Sequence, residues 1–307
     1  ESARTEGYKR LLFLRVDFPD FPGEQATIPL AEAQTLLGDM RNYALLMSYG
    51  LHGIAPIGPG GSAVTPVLRM GMNSSSYDNE GLSRLYPEAR AKAAAAGIDL
   101  SKFDYDGVFT KGRPAAGYAG LAYVGARGFH MANGYFGKHV TTHEYGHNLG
   151  LPHAHRWETD DKSIIGPGTL VEYGNRYDPM GEVFDSIPGE KHFTGGYKNY
   201  LDWIPDADAA RITTSGVYRL TTSDAAQSRG RRVLRVRKDA RDYWVEFRDG
   251  LNDPLLSNGV FLQWGNPDGN ENYLLDVLPG VSGTTLTVGR TFSDPGANNG
   301  VGVHLTP

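Results

Sequence analysis

Residues 143–153 constrain the chain more than any other stretch, because they read His-Glu-Tyr-Gly-His-Asn-Leu-Gly-Leu-Pro-His. On a helix, His143 and His147 are four residues apart, so both imidazoles project from one face and can share a metal ion. Gly150 can adopt the left-handed conformation that ends a helix, and the chain reversal would bring His153 to the same ion. Three protein ligands leave one position open for water, as a catalytic zinc requires.

Glu144 lies beside the first of these histidines, where it can reach a metal-bound water without taking a coordination position. Coordination by zinc lowers the pKa of water from about 15.7 towards 7, which makes hydroxide available at neutral pH. Glu144 would accept the proton as this water attacks a peptide carbonyl, and would then deliver it to the leaving nitrogen. The pattern therefore predicts hydrolysis with His143, His147 and His153 as zinc ligands and Glu144 as the general base.

Two further histidines, His139 and His155, flank the motif. We expect both to be surface groups or groups that support the ligands, because the set of three ligands is already complete. A simpler alternative treats His143 and His147 as core side chains on one helix face. That alternative explains neither Glu144 nor the third histidine at its fixed spacing.

A second element lies downstream, where residues 177–181 read Tyr-Asp-Pro-Met-Gly, a tight-turn sequence that carries a methionine. With the histidine motif, it resembles the metzincin metallopeptidases, and in particular the gametolysin-like and immune-inhibitor-A-like secreted peptidases. The resemblance implies an α+β catalytic domain with a twisted sheet, helices, a zinc helix and a Met-turn. In that turn Met180 would form an apolar floor beneath the zinc. It also implies a secreted enzyme, one catalytic Zn²⁺ and a protein or peptide substrate.

Other segments share this resemblance. Gly120–Gly125 is similar to the strand before the active-site helix of these peptidases. The resemblance places it at the upper edge of the sheet, where it would pair with an extended substrate, and an ordinary sheet strand is the alternative. Phe193–Ile204 is similar to the helix that follows the Met-turn, and Tyr243–Arg248 and Thr291–Pro295 are similar to the C-terminal β-region. The resemblance thus covers most of the chain.

The chain departs from the pattern at one position. Some metzincin families place a tyrosine two residues after the methionine of the turn, where it can approach the metal, but here Glu182 occupies that place. Tyr177 and Tyr173 lie before Met180 and could supply a donor to the oxyanion. Of these two, Tyr177 is the candidate that we retain.

Composition excludes several other classes of protein. The formal net charge of −5, without a basic cluster beyond residues 229–237, argues against nucleic-acid binding. That stretch alternates with apolar residues, and we interpret it as a strand with a solvated charged face. Cysteine is absent, so no disulfide or thiolate ligand is possible. No apolar run is long enough to span a membrane. We expect the protein to be a monomer.

The start of the chain bears on its location. It begins with Glu1 and shows no signal-peptide pattern. We interpret it as a mature form that has lost a leader, which agrees with a secreted, extracellular protein.

The 307 residues are enough for two domains. We predict a zinc peptidase catalytic domain at residues 1–206, with an N-terminal subdomain at 1–150 and a C-terminal subdomain at 151–206. Residues 151–206 are rich in Gly, Pro and Asp, and are predicted to be irregular apart from one helix. Short β-patterned runs separated by turn residues then predict a small all-β, sandwich-like C-terminal domain at residues 207–307.

Apolar periodicity, glycine and proline predict the individual elements. The proline within Val64–Met72 predicts an edge strand or a strand start there. The predicted strands are Tyr8–Phe18, Val64–Met72, Phe103–Thr110, Gly120–Val124, Gly216–Thr221, Arg232–Arg237, Tyr243–Arg248, Gly259–Trp264 and Thr284–Val288. Gly128–Gly134 is predicted to be a strand or a turn. The predicted helices are Pro29–Gly50, Gly81–Gly97, Lys138–Leu149 and Gly195–Trp203.

Two hypotheses compete with the peptidase. One is a catalytically silent or narrow-specificity metal-containing module that binds protein or glycan, although an intact Glu144 argues against a silent form. The other makes the C-terminal β-region the main functional surface, binding matrix protein or glycan. Exposed Trp244 and Trp264 would favour it, but their alternation within strands favours burial in a core.

Loops rich in Asp and Asn could bind structural Ca²⁺ through hard oxygen ligands. The candidates are Asn266–Asn272, Asp294–Asn299 and Asp78–Glu80. None of them matches an EF-hand loop, and ordinary turn chemistry explains them as well.

Overall fold

The chain is α+β, with mixed sheets and few helices, in a computed structural model that describes residues 2–187, 189–279, 285–295 and 302–307. The predicted α+β class is therefore confirmed. Its internal contacts separate two compact units. The N-terminal unit comprises Ala3–Leu45 and Gly50–Leu151, and the C-terminal unit comprises Leu46–Tyr49 and Pro152–Pro307 with the first two residues. The predicted domain boundary at residue 206 concerns independent folding and stays a prediction.

Strands and helices alternate through the first half of the chain, as its changing periodicity predicts. The strands are β1 (Gly7–Lys9), β2 (Leu11–Asp17), β3 (His52–Ile54), β4 (Ala63–Arg69), β5 (Tyr105–Phe109), β6 (Gly120–Ala122) and β7 (Phe129–Met131). The helices are α1 (Ser2–Thr5), α2 (Leu30–Met47), α3 (Tyr86–Ala95) and α4 (Lys138–Asn148).

A five-stranded sheet with the order β4-β2-β5-β7-β6 organises the N-terminal unit. Its first four strands are parallel, and β6 is antiparallel to β7. A proline removes one donor from the ladder and suits an edge, so Pro66 explains why β4 lies at one edge. The other edge is β6, the strand that the resemblance places there.

Every residue of β2 is buried, because both faces of the sheet are covered. Side chains alternate along a strand, so Leu12, Leu14 and Val16 share one face, where they join a core cluster with residues of α3. Phe13 points the other way and packs on Phe109, with ring centroids 4.3 Å apart. This two-sided core fixes the sheet from which β6 extends.

The predicted strand Tyr8–Phe18 is interrupted in the structure. It forms β1 and β2, which pair with different neighbours, and the break falls at Arg10. The amide of Arg10 donates to the carboxylate of Asp104 at 2.7 Å instead of to a strand. A local side-chain acceptor therefore competes successfully with the ladder, which apolar density alone does not predict.

The second half of the chain is mainly β-structure, as its short apolar runs predict. The strands are β8 (His155–Thr159), β9 (Gly168–Val171), β10 (Ala209–Ile212), β11 (Val233–Lys238), β12 (Arg241–Glu246), β13 (Gly259–Gly265), β14 (Asn272–Leu275), β15 (Thr285–Thr287), β16 (Phe292–Asp294) and β17 (Val303–Leu305). The helices are α5 (Gly195–Tyr200) and α6 (Pro254–Ser257).

A mixed sheet with the order β10-β11-β12-β13-β14-β8-β9 dominates the C-terminal unit, and β15 pairs with β13. Trp244 of β12 is buried, and the partly buried Trp264 packs edge-on against Trp157 at 5.3 Å. These tryptophans belong to the core, so the hypothesis that needs them exposed loses its support. Residues 233–237 of the basic stretch lie in β11, where the guanidinium of Arg235 lies over the Trp244 ring.

Two predictions in this half are wrong. Residues 151–206 were expected to be irregular apart from one helix, yet they contain the hairpin β8–β9. Its first strand reads His-Arg-Trp-Glu-Thr, which has no apolar alternation, and pairing with β14 stabilises it. Conversely, no strand forms at Gly216–Thr221. There Val217 is fully exposed, and the hydroxyl of Tyr218 donates to the carbonyl of Thr214 at 2.6 Å, so the segment folds on itself.

Among the helices that the structure describes, none combines the length and the apolar character that a membrane crossing requires.

Candidate metal centre

Helix α4 carries the first two histidines of the motif, and packing rather than helix propensity maintains it. Thr141, Thr142 and Gly146 are poor helix formers. Every residue from Val140 to Asn148 is nevertheless buried, so tertiary contacts supply the stability. The helix ends as predicted, because Gly150 has φ of +104° and its amide donates to the carbonyl of His147 at 2.8 Å.

The structure brings His143, His147 and His153 together. One ring nitrogen of each histidine lies within 4.8 Å of a ring nitrogen of each of the other two. The rings of His143 and His147 are nearly perpendicular, at 88°, with centroids 4.8 Å apart. Zinc bonds to histidine nitrogen are about 2.0–2.1 Å long, so small side-chain rotations would let one ion bind all three. This is the cluster that the motif predicts.

Hydrogen bonds to the second ring nitrogens suit a metal site. Nδ1 of His147 lies 2.7 Å from the carbonyl oxygen of Leu151, and Nδ1 of His153 lies 3.1 Å from a carboxylate oxygen of Glu172. Both oxygens can only accept, so each Nδ1 carries the proton and each Nε2 keeps its lone pair. Burial also lowers the pKa of His153, with Glu172 opposing that shift. A metal ion binds a neutral imidazole through a ring nitrogen that carries no proton.

Glu144 is buried beside this cluster, close to the edge strand β6. A Cβ at Gly120 would overlap the Glu144 carboxylate, so only glycine allows the strand and the carboxylate to approach so closely. Burial raises the pKa of Glu144 to about 8. A cation held by the neighbouring histidines would oppose that shift, because an opposite charge favours the ionised carboxylate.

The turn that contains Met180 is tied to the residue after His153. The amide of Ala154 donates to the carbonyl of Met180 at 2.8 Å, and the Met180 side chain is fully buried. One oxygen of Asp178 accepts from the Met180 amide at 2.7 Å, and the other accepts from Thr194 at 2.5 Å. Through these two bonds Asp178 joins the turn to the start of α5. Burial raises the pKa of Asp178 to about 7.

Helix α5 supports the third histidine from another direction. Its N-cap is Thr194, whose hydroxyl oxygen accepts from the Tyr197 amide at 3.2 Å. The buried Tyr197 hydroxyl donates to the backbone carbonyl of His153 at 2.8 Å. Residues 193–204 were noted in the sequence only as a helix, and nothing in the pattern pointed to this contact with a ligand.

The two tyrosines considered as oxyanion donors are placed differently. Tyr177 lies in an apolar cluster and packs against Phe261 at 5.2 Å. Tyr173 packs on the ring of His153, with centroids 4.1 Å apart. Tyr173 is therefore the tyrosine that contacts a proposed ligand, whereas the role of Tyr177 as a donor stays a prediction.

The two histidines that flank the motif pack on aromatic rings, and the ring of His155 also lies edge-on to that of His153 at 6.1 Å. His139 packs on Tyr43, and His155 lies beside Tyr273 with rings nearly parallel. Within the part of the chain that the structure describes, neither joins the three-histidine group. We predicted supporting or surface roles for both.

Side chains of two acidic loops make hydrogen bonds, one within its own loop and the other to a distant segment. Asn266 donates to Asn270 at 3.0 Å, and Asp78 accepts from the amide of Ala115 at 2.7 Å. Residues 296–299 of the third loop lie outside the described residues. A structural Ca²⁺ stays a prediction.

Comparisons with known proteins do not assign a family. No family model matches the chain, and a search of the curated proteins finds no match either. What the protein does must therefore be inferred from the site itself.

Proposed function

We propose that this chain is a secreted zinc-dependent endopeptidase in which Glu144 is the general base. The observation that carries the proposal is the convergence of His143, His147 and His153, with Glu144 in the same helical turn as the first of them. Secretion rests on the resemblance to metzincins alone.

The donor set fits a catalytic zinc ion. Three neutral imidazoles leave the ion a strong Lewis acid with an open fourth position, whereas a structural zinc has four protein ligands. Zinc bound by these residues would supply a water of lowered pKa and polarise a substrate carbonyl. Leu151 and Glu172 support this use, because they hold two of the ligands with Nε2 unprotonated.

Glu144 is suited to move the proton. Its carboxylate neighbours a ligand in sequence but does not join the three-histidine group, so it remains available to a water bound beside it. A general base works best with a pKa near the operating pH. Burial raises the pKa of Glu144, and a cation held by the neighbouring histidines would lower it. Glu144 would take a proton from the attacking water and give it to the departing amine.

The open edge of β6 is the proposed binding surface for an extended peptide. A peptide added as a further strand gains main-chain hydrogen bonds along the edge, and side-chain pockets then decide preference. Gly120 brings this edge against Glu144, which would place a bound peptide next to the general base. We further propose that the Met180 turn is the Met-turn of a metzincin, because it is buried and joined to Ala154.

The test is hydrolysis of a quenched casein substrate by the purified chain, with and without a chelator. Cleavage should disappear with the chelator and return when zinc is added. One zinc bound per chain without any cleavage would contradict the endopeptidase and favour the alternative, a silent or narrow-specificity module that binds protein or glycan. Cleavage that resists the chelator would exclude a metal-dependent mechanism.

A further inference from the structure

We propose that Glu172 is a positioning residue for His153, which it orients for metal binding. The inference rests on the proposed zinc site and adds to it a residue that the histidine motif does not contain. Glu172 lies 19 positions after His153, on the far side of a hairpin that the sequence did not predict.

The hairpin explains how two distant residues meet. In its register Arg156 pairs with Val171, so Glu172, the first residue after β9, lies beside the residues that lead into β8. There Glu172 accepts a hydrogen bond from Nδ1 of His153 at 3.1 Å. The bond orients the ring and directs the lone pair of Nε2 away from the hairpin.

The neighbouring residue confines the same ring. Tyr173 packs on His153 at 4.1 Å with the ring planes 38° apart. Its φ of +58° is left-handed, a conformation that residues with a Cβ seldom adopt. Such backbone strain persists where surrounding structure enforces it, and it is concentrated at functional sites. Glu172 and Tyr173 thus bring two consecutive side chains onto one imidazole.

His153 needs this support more than the other two ligands do. His143 and His147 are fixed by the helix that carries both, whereas His153 lies in an irregular segment before β8. A ligand on a loop must be oriented by its neighbours, and carboxylates that accept from ligating histidines commonly do this. If Glu172 were only a surface charge, its ion pair would contribute little, because its side chain is 61 % exposed.

The chain offers a matched control on the same hairpin. Glu158 in β8 has a side chain that is 62 % exposed and forms an ion pair with Arg156 at 3.1 Å. Glu158→Ala removes the same charge at the same exposure. It should therefore report any general effect of charge on zinc affinity.

The experiment measures the zinc dissociation constant by competition with a chromophoric chelator, together with the melting temperature of the zinc-free protein. Glu172→Ala should weaken zinc binding about 10–100-fold. Glu172→Gln should weaken it less, because its amide oxygen still accepts from Nδ1, and Glu158→Ala should leave it unchanged. The visible spectrum of the Co²⁺-loaded protein should change in Glu172→Ala alone.

Zinc affinity in Glu172→Ala within twofold of the unmodified chain would overturn the inference while leaving the proposed function intact. A loss of affinity accompanied by a comparable loss of zinc-free stability would assign Glu172 to folding and would overturn it too. If the unmodified chain binds no zinc, both the inference and the proposed peptidase are wrong.

Discussion

Two of the three proposed ligands are positioned locally, and the third is positioned from a distance. His143 and His147 lie one helical turn apart on α4, and their relative placement follows from the geometry of any helix. His153 is held by the turn of Met180 through Ala154, by Tyr197 and by Glu172. The contrast shows that helix geometry sets the relative placement of two residues on one helix, whereas the residue beyond the helix depends on contacts with distant parts of the chain.

The segments that position His153 are joined by buried charged side chains. Arg248 is fully buried and donates to the backbone carbonyl of Tyr177 at 2.9 Å and to Glu246 at 2.9 Å. Glu246 in turn accepts from the amide of Gly195 at the start of α5. A buried network of this kind favours one arrangement, because each lost partner leaves a costly buried group.

The largest effect on activity should come from a change in α4, the helix that carries His143 and His147. Glu144→Gln keeps the shape of the side chain but removes the base, so turnover should fall about 10²–10⁴-fold. Zinc affinity and folding should change little, because Glu144 is not one of the proposed ligands and Gln has the same shape. Rates on quenched casein and zinc stoichiometry test this, with Glu158→Gln as the control. Turnover that survives the substitution would assign the base to another group.

The contrast also explains what the sequence could reveal. Spacing predicted α4, the two proposed ligands on it and the left-handed Gly150, because each pattern spans only a few residues. The proline of β4 predicted an edge strand or a strand start, and the strand lies at an edge. These features leave a local signal in the sequence, although burial supplies the stability of α4.

The features that escaped prediction depend on distant partners. The strand β8 is polar and exists because it pairs with β14. Glu172 and Tyr197 could not be related to His153, because the hairpin and the orientation of α5 carry no local signal. Gly216–Thr221 shows the reverse error. Its sequence has a strand pattern, but the segment does not form a strand.

The second prediction concerns the buried charges that join the segments around His153. Arg248→Met should lower the free energy of unfolding by about 3–5 kcal/mol, because it leaves the buried carboxylate of Glu246 without its cation. Denaturant unfolding measures this. Arg156→Met removes a partly exposed arginine and should cost at most about 1 kcal/mol. The double substitution Arg248→Met with Glu246→Gln should recover part of the loss, and a full loss in both would show that packing dominates.

The third prediction concerns Gly150, which lies between the end of α4 and His153. At a φ of +104°, Gly150→Ala would strain the backbone by roughly 1–3 kcal/mol. Gly97 also follows a helix with a positive φ, of +86°, and provides a matched control. Both substitutions should lower stability in denaturant, but only Gly150→Ala should weaken zinc binding, because it alters the path from His147 to His153. Equal zinc affinity in both variants would show that the junction tolerates movement.

The smallest expected effect on stability comes from Tyr197→Phe, which removes one contact to His153. Tyr197→Phe removes the hydroxyl that donates to the carbonyl of His153 and should cost about 1 kcal/mol of stability. Tyr243→Phe removes another buried hydroxyl, bonded to Asp294 at 2.7 Å, and should cost a similar amount. If distant contacts position the third ligand, zinc affinity should fall in Tyr197→Phe and not in Tyr243→Phe. Should both variants bind zinc like the unmodified chain, Tyr197 would stabilise the fold without helping to place His153. The positioning of His153 would then depend on Glu172 and on the turn of Met180.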